Sequence, residues 1–295
     1  MNDDNEEDKE EEIMFQNNEV IIPSVAPNEP EKKTNIIYYI FLIIIFTLII
    51  TLVILILVLK DSDNTSKEEE KEKEKEETLK PLIYNSTSGN HTHTIIFVPG
   101  FSNQPEDFQK AFTKKIQFKK KNDTTIIILR SPYVNVSVFK SKNYSWFDVY
   151  NFPITKQSDY NFEELKKSAK ILEKVIDSEV NLLQGKYENI IIGGHSQGGF
   201  ISLYQGYNTD KNLGGLFIFS GVLPPGDINP NKTNLQTYYG YGDKDFVISP
   251  SFLMESIERI KNFKGFHLHL YEGHKHHVCT AEEKDAGIFL DSIIK

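Results

Sequence analysis

Residues 36–59, opened by Ile36 and closed by Leu59, run for 24 positions through Ile, Leu, Val, Phe, Tyr and Thr without a charge. As a helix rising 1.5 Å per residue, such a segment is long enough for the roughly 30 Å hydrocarbon core of a bilayer. It therefore reads as a transmembrane span. A cleaved signal peptide is the competing reading. It fits poorly, because the run is too long, begins more than thirty residues in, and is followed by charged residues rather than a small-residue cleavage site.

The span divides the chain into residues 1–35, an acidic tail; 36–59, the transmembrane helix; 60–80, a charged linker; and 81–295, the folded domain. The tail carries 11 acidic and 3 basic groups and Pro23, Pro27 and Pro30, too little apolar surface to fold, so disorder is expected. The linker carries 9 acidic and 6 basic groups, mostly in a Lys/Glu alternation at 67–77 that suits a solvated helix or an extended tether. The remainder holds 22 acidic and 24 basic groups, so the net charge of −9 belongs to tail and linker. The Lys114-Lys115 and Lys119-Lys120-Lys121 patch is short and reads as a solvated face; no nucleic-acid partner is expected.

Two signals bear on which side of the membrane the domain occupies. Lys32 and Lys33 precede the span, while Lys60, Lys67, Lys71, Lys73 and Lys75 follow it, which on the positive-inside rule favours a cytosolic C-terminal part. Against this, Asn-x-Ser/Thr acceptors stand at Asn64, Asn85, Asn90, Asn122, Asn135, Asn143 and Asn231, and none precedes the span. That is more than chance provides, and it tips the expectation toward a glycosylated lumenal or extracellular domain. A lone Cys279 excludes an intramolecular disulfide and leaves the compartment open.

Within 81–295, buried-strand patterns at 94–98, 125–129, 189–192, 215–219, 235–239 and 266–271 alternate with helical ones at 162–184, 249–262 and 281–294. The first helix is the clearest. Asn161 and Glu164 suit a capping box; Leu165, Ala169, Leu172, Val175, Ile176, Val180 and Leu183 form its apolar stripe; Gly185 can end it. Such alternation predicts an α/β fold with a mostly parallel, doubly wound sheet, whose sites lie at the carboxyl ends of strands.

One of those ends is distinctive. Gly194-His195-Ser196-Gln197-Gly198 follows an apolar strand and precedes a helix-compatible stretch, the pattern of a nucleophile elbow with serine raised on a sharp turn. A serine hydroxyl is a poor nucleophile at neutral pH. It needs an imidazole to take its proton and a carboxylate to hold the imidazole's tautomer. Asp245, past the strand ending at Tyr239, and His276, past the next strand, supply these in the chain order of a hydrolase. Asp243 competes with Asp245, with a loop cap as its other reading. His274, His276, His277 and Cys279 also resemble a zinc cluster but lack a second ligand group elsewhere, so no metal and no cofactor is expected.

Gly194-His195-Ser196-Gln197-Gly198-Gly199, Ser145-Trp146-Phe147-Asp148, Gly242-Asp243-Lys244-Asp245 with Val247, and Tyr271-Glu272-Gly273 followed by His276 together resemble the signature stretches of the phospholipase/carboxylesterase family, which includes the acyl-protein thioesterases. The likeness covers about residues 92–295. It implies an α/β-hydrolase fold; Ser196 as nucleophile, Asp245 and His276 as its partners; and oxyanion donors at the backbone amides of Phe101 and Gln197. The implied reaction is hydrolysis of acyl esters or thioesters through an acyl-serine.

The chain departs from the family's pattern in four places. Pro99-Gly100 stands where the family has His-Gly, His195 stands where it commonly has Phe, and the anchor and the glycan acceptors are foreign to a mostly cytosolic family. A lumenal domain would not meet cytosolic S-acylated proteins. Between the second strand and the long helix lies an aromatic-rich segment with Tyr133, Phe139, Tyr144, Trp146, Phe147, Tyr150 and Phe152. It is expected either to cover the core or to wall an acyl groove, with Trp146 and Phe147 as the expected substrate contacts. The rival to the enzyme is a membrane-tethered lipid-binding protein on a hydrolase scaffold without turnover.

Overall fold

In a computed structural model the chain is described from residue 33 onward, with side-chain surroundings for residues 36–60 and 79–295. The acidic tail lies outside the described residues, apart from the start of the first helix.

Helix α1, Lys33–Thr78, includes the stretch Ile36–Lys60, 25 residues long and apolar enough to cross a membrane by length and composition. The side chains of Ile36–Lys60 are exposed throughout. The two threonines turn their hydroxyls back onto the helix: Thr47 Oγ1 donates to Ile44 O at 2.8 Å and Thr51 Oγ1 to Leu48 O at 2.9 Å. Neither hydroxyl is therefore left as an unsatisfied donor.

The folded unit is built on a seven-stranded sheet in the order β1-β3-β2-β6-β7-β8-β9. Its strands are β1 Leu82–Tyr84, β2 His93–Val98, β3 Thr124–Ile128, β6 Ile190–His195, β7 Gly215–Phe219, β8 Thr237–Gly242 and β9 Phe266–Tyr271; β4 Tyr133–Val136 and β5 Ser141–Tyr144 form a separate antiparallel hairpin. Only β1 runs antiparallel in the main sheet. This is the mostly parallel, doubly wound sheet of an α/β-hydrolase.

The strand period of two sorts the core into two layers. Ile96, Val98, Ile192, Leu216 and Ile218 point to one face, under α2 Phe162–Leu182, α3 Gln197–Asn208 and α4 Pro250–Ile257. Ile95, Phe97, Ile191, Phe217 and Phe219 point to the other, against α5 Thr280–Ile293 and the short helical turn Ala111–Lys115. Phe97, fully buried, is the hub of that second layer, with the rings of Phe108, Phe112 and Phe217 at 4.7, 5.1 and 5.8 Å. Aromatic clusters of this kind add to the free energy of area burial.

Four local expectations are corrected. Strand β9 lies at the sheet edge, so Leu268 and Leu270 are 41% and 48% exposed rather than buried. The capping box of α2 is half made. Asn161 Oδ1 accepts from Glu164 N at 3.2 Å, but the Glu164 carboxylate is drawn away to Asp148 N at 2.7 Å. Helix α4 ends at Ile257, with hydrogen-bonded turns carrying the chain on to residue 263. β1 and the β4–β5 hairpin lie outside the strands expected from pattern: at three and four residues each they are shorter than the other strands.

Candidate active site

β6 ends at His195 and α3 begins at Gln197, so Ser196 alone makes the turn, with φ 53° and ψ −122°. A positive φ costs a non-glycine residue on the order of 1–3 kcal/mol, and the surroundings hold it there. Ser196 N donates to Phe219 O at 2.9 Å, and Ser196 O accepts the first helical bond from Phe200 N at 3.1 Å. The flanking glycines are required by close approach. A Cβ at Gly198 would lie 1.8 Å from Val98 O, and one at Gly194 would lie 2.3 Å from the Gly198 carbonyl.

The three residues singled out for chemistry converge at the carboxyl edge of the sheet. Ser196 Oγ lies 2.7 Å from His276 Nε2, and His276 Nδ1 lies 2.7 Å from Asp245 Oδ2. The other carboxylate oxygen of Asp245 accepts from Val247 N at 2.9 Å and Ile248 N at 3.0 Å. Burial works to raise the Asp245 pKa, but the hydrogen bond from His276 and those from the two amides outweigh it and hold the group below the ordinary aspartate value. An ionised carboxylate accepting from Nδ1 leaves Nε2 unprotonated toward the serine, the arrangement that allows the imidazole to take the hydroxyl proton. Asp243 is engaged elsewhere, its Oδ1 accepting from Gly273 N at 2.6 Å and so tying the β8 loop to the turn after β9.

Of the two residues whose backbone amides are the expected oxyanion donors, Phe101 lies on the loop after β2 and lines the same cavity as Ser196, and Gln197 directly follows Ser196. Gln197 N is the first amide of α3, where no intrahelical acceptor exists and the helix dipole favours an anion. Among the described residues neither amide is given to a protein acceptor. The Gln197 side chain is the residue that sequence reasoning missed. Its Nε2 donates to Phe147 O at 2.9 Å and Ser145 Oγ at 3.0 Å, and its Oε1 accepts from Trp146 N at 3.0 Å. One buried amide thus clamps residues 145–147 beneath the elbow.

That clamp also explains a correction. Trp146 and Phe147 are 3% and 1% exposed and line no cavity at the serine. Trp146 Nε1 donates to Pro99 O at 2.8 Å, steadying the loop that carries Phe101, and Phe147 packs on Tyr160 and Phe200. The cavity at Ser196, about 380 Å³, is walled instead by Phe101, Phe139, Val149, Phe152, Ile154, Phe246 and Val247, with Ser196 and His276 also on its surface. Phe139 and Phe152 belong to the aromatic segment noted in the sequence; only the chain's path around the sheet decides which of its rings turn inward. A cleft of similar size, about 390 Å³, opens over Glu163, Lys166, Lys170 and Asn208, away from the serine.

The remaining candidates separate cleanly. Cys279 is the N-cap of α5: its Sγ accepts from Glu282 N at 3.5 Å while Glu282 Oε2 accepts from Cys279 N at 2.7 Å. His274 and His277 face each other edge-on at 6.1 Å, and no cluster of three or more His, Cys, Asp or Glu able to hold a metal occurs among the described residues. His195, where the resemblance anticipated Phe, is buried, and its Nε2 lies 2.7 Å from His276 O. Burial, with the nearby His276, pushes its pKa down to about 3.

Residues 81–294 match the family model described as Phospholipase/Carboxylesterase. An acyl-protein thioesterase 1 of Debaryomyces hansenii is 33% identical over 159 residues, 51% of this chain and 67% of the relative. One from Yarrowia lipolytica is 29% identical over 225 residues, 73% of this chain and 98% of the relative. Among solved structures, Zea mays acyl-protein thioesterase 2 is similar with a TM-score of 0.58 at 18% identity, over 73% of this chain and 99% of that one. Arabidopsis thaliana SOBER1 is similar with a TM-score of 0.60 at 20% identity, over 69% of this chain and 99% of that one.

Proposed function

The chain belongs to the phospholipase/carboxylesterase family, and on that footing we propose that it is a membrane-anchored serine hydrolase cleaving carboxylic esters or thioesters of acyl chains through an acyl-serine intermediate. The observation that carries the reading is the pair of 2.7 Å contacts that link Ser196 Oγ through His276 to Asp245 beside an apolar cavity.

In this reading His276 Nε2 takes the Ser196 proton as Oγ attacks the acyl carbonyl, and Asp245 stabilises the imidazolium that forms. The carbonyl oxygen, now an oxyanion, receives the N–H groups of Phe101 and Gln197; one such donor is worth on the order of 3 kcal/mol in the transition state. His276 returns the proton to the departing alkoxide or thiolate, and a water deprotonated by the same imidazole releases the acid. The acyl chain lies among Phe101, Phe139 and Phe152, in a cavity whose lining includes no Lys, Arg, Asp or Glu.

The stretch Ile36–Lys60 supplies the anchor. Asn85, Asn90, Asn122, Asn135 and Asn231 are exposed, as glycan acceptors must be, which supports a lumenal or extracellular domain. Asn143 is half-buried, its Oδ1 accepting from its neighbour Tyr144 N at 2.8 Å.

Labelling by a fluorophosphonate probe tests the nucleophile: wild type is expected to react and Ser196→Ala to stay unlabelled, and equal labelling rejects the assignment. Labelling without turnover of any p-nitrophenyl ester would favour the tethered lipid-binding reading. A mobility shift of the membrane-inserted protein after glycosidase treatment tests the compartment, and no shift argues for the cytosolic face.

A further inference from the structure

His276 lies between β9 and α5, outside both. The loop is pinned on either side of it: Lys244 N donates to His274 O at 2.9 Å, and Cys279 N donates to Glu282 Oε2 at 2.7 Å. The main chain of His276 itself has one partner among the described residues, the imidazole of His195. Because the acceptor is a carbonyl, His195 Nε2 carries the proton and donates.

His195 is suited to this by its own position. It is the last residue of β6, paired with Phe219 of β7 in the middle of the sheet, and it directly precedes Ser196. Its ring is buried, 6.0 Å from Phe108 and 5.1 Å from the His276 ring, and Nδ1 has no partner. A second cation beside a protonated His276 is thereby avoided, because burial keeps His195 neutral. The strand that presents the nucleophile thus also grips the backbone of the base.

The two halves of the reaction use this grip unequally. Before acylation the His276 ring is held at both nitrogens, by Asp245 and by Ser196. In the acyl-enzyme Ser196 Oγ is an ester or thioester-derived ester oxygen without a proton, so the serine no longer fixes Nε2, which must meet water instead. Asp245 and the His195 donor remain. Resting on the serine-hydrolase reading above, we propose that His195 is a positioning residue whose Nε2–H, donated to the His276 carbonyl, keeps the imidazole over the acyl-serine while water attacks.

The test compares full-length wild type, His195→Phe, His195→Gln and His195→Asn in detergent micelles, by stopped-flow release of p-nitrophenol from a short-chain p-nitrophenyl ester. Phe keeps the ring volume without a donor; Gln carries an N–H to about the place of Nε2; Asn is polar but too short. Misplacement by about an ångström costs up to 100-fold, so deacylation is expected to slow at least about tenfold in His195→Phe while acylation slows less than about threefold. A burst of product then precedes a slow steady state, and kcat and KM fall together.

His195→Gln is expected to recover deacylation to within about threefold of wild type, and His195→Asn is not. If His195→Phe does not fold, as judged by its melting, the Gln and Asn pair carries the same comparison. Wild-type deacylation in His195→Phe or His195→Asn overturns the proposal, as does an equal fall of both steps that Gln does not relieve, which marks a packing role. Turnover surviving in Ser196→Ala instead overturns the hydrolase reading beneath it.

Discussion

Replacing Gly198 by Ala tests the link between the elbow's backbone and its chemistry. The added Cβ would lie 1.8 Å from Val98 O, against the 3.0 Å below which real Cβ contacts essentially never occur, so strand end and helix start must separate by at least about 1.2 Å. Neither neighbour is a flexible side-chain tip: both contacts, Val98 O and Pro99 O, are backbone. Gly198 follows the Gln197 amide directly, and Val98 lies three residues before the Phe101 amide. The shift that relieves the clash therefore pulls the two proposed oxyanion donors apart.

Losing one donor costs about 10²–10³ in kcat, and overpacking costs about 1–3 kcal/mol of stability. Gly198→Ala is accordingly expected to lose at least about 100-fold in kcat/KM toward a p-nitrophenyl ester and to melt several degrees lower. Rates should be normalised to active sites titrated with a fluorophosphonate, so that misfolded protein is not counted. A variant within about threefold of wild type, melting at the same temperature, would refute both the crowding and the placement of the donors.

Asp245→Asn retains acceptors for Val247 N and Ile248 N but no longer stabilises Nδ1–H as a carboxylate; kcat is expected to fall by about 10³–10⁴ with folding unchanged, and a loss under tenfold in steady-state assays would count against Asp245. Glu282 is buried, and burial raises its pKa to about 7 from an ordinary 4.5. The native state therefore holds this proton longer than the unfolded chain, and its contribution to stability is lost as pH rises from about 4.5 through 7. Relative to Glu282→Gln, wild type should lose on the order of 3 kcal/mol over that window, read from urea midpoints; parallel curves would contradict it. Each methylene buried is worth up to about 0.8 kcal/mol, or fourfold, so kcat/KM should climb with acyl length until the cavity is filled. Phe152→Ala, which removes a wall ring packed 5.4 Å from Phe139, should flatten that climb in a p-nitrophenyl ester series, and an unchanged profile would remove Phe152 from the acyl site.

Much of this molecule is written in local pattern. An uncharged 24-residue run can do little but avoid water, and the alternation of apolar runs with a striped helix at 162–184 anticipates the buried parallel strands and α2, because burial and backbone pairing impose periods of two and 3.6 along the chain. Ser196, Asp245 and His276 were legible for a related reason: in a doubly wound sheet the residues just after strands share one edge, so order along the chain predicts proximity in space.

What the pattern leaves open depends on contacts between distant segments. Asp243 and Asp245 are equivalent by composition, and only the turn after β8 aims one at His276 and the other at Gly273 N. Trp146 and Phe147 look like groove residues until the amide of Gln197 and the carbonyl of Pro99 draw their segment under the elbow, leaving Phe101, Phe139 and Phe152 to wall the cavity. β9 is apolar enough for the sheet's interior, yet as the last strand added it has a neighbour on one side alone. Hydrophobicity determines that a residue leaves water; which neighbours it meets is decided only when the whole chain has closed around it.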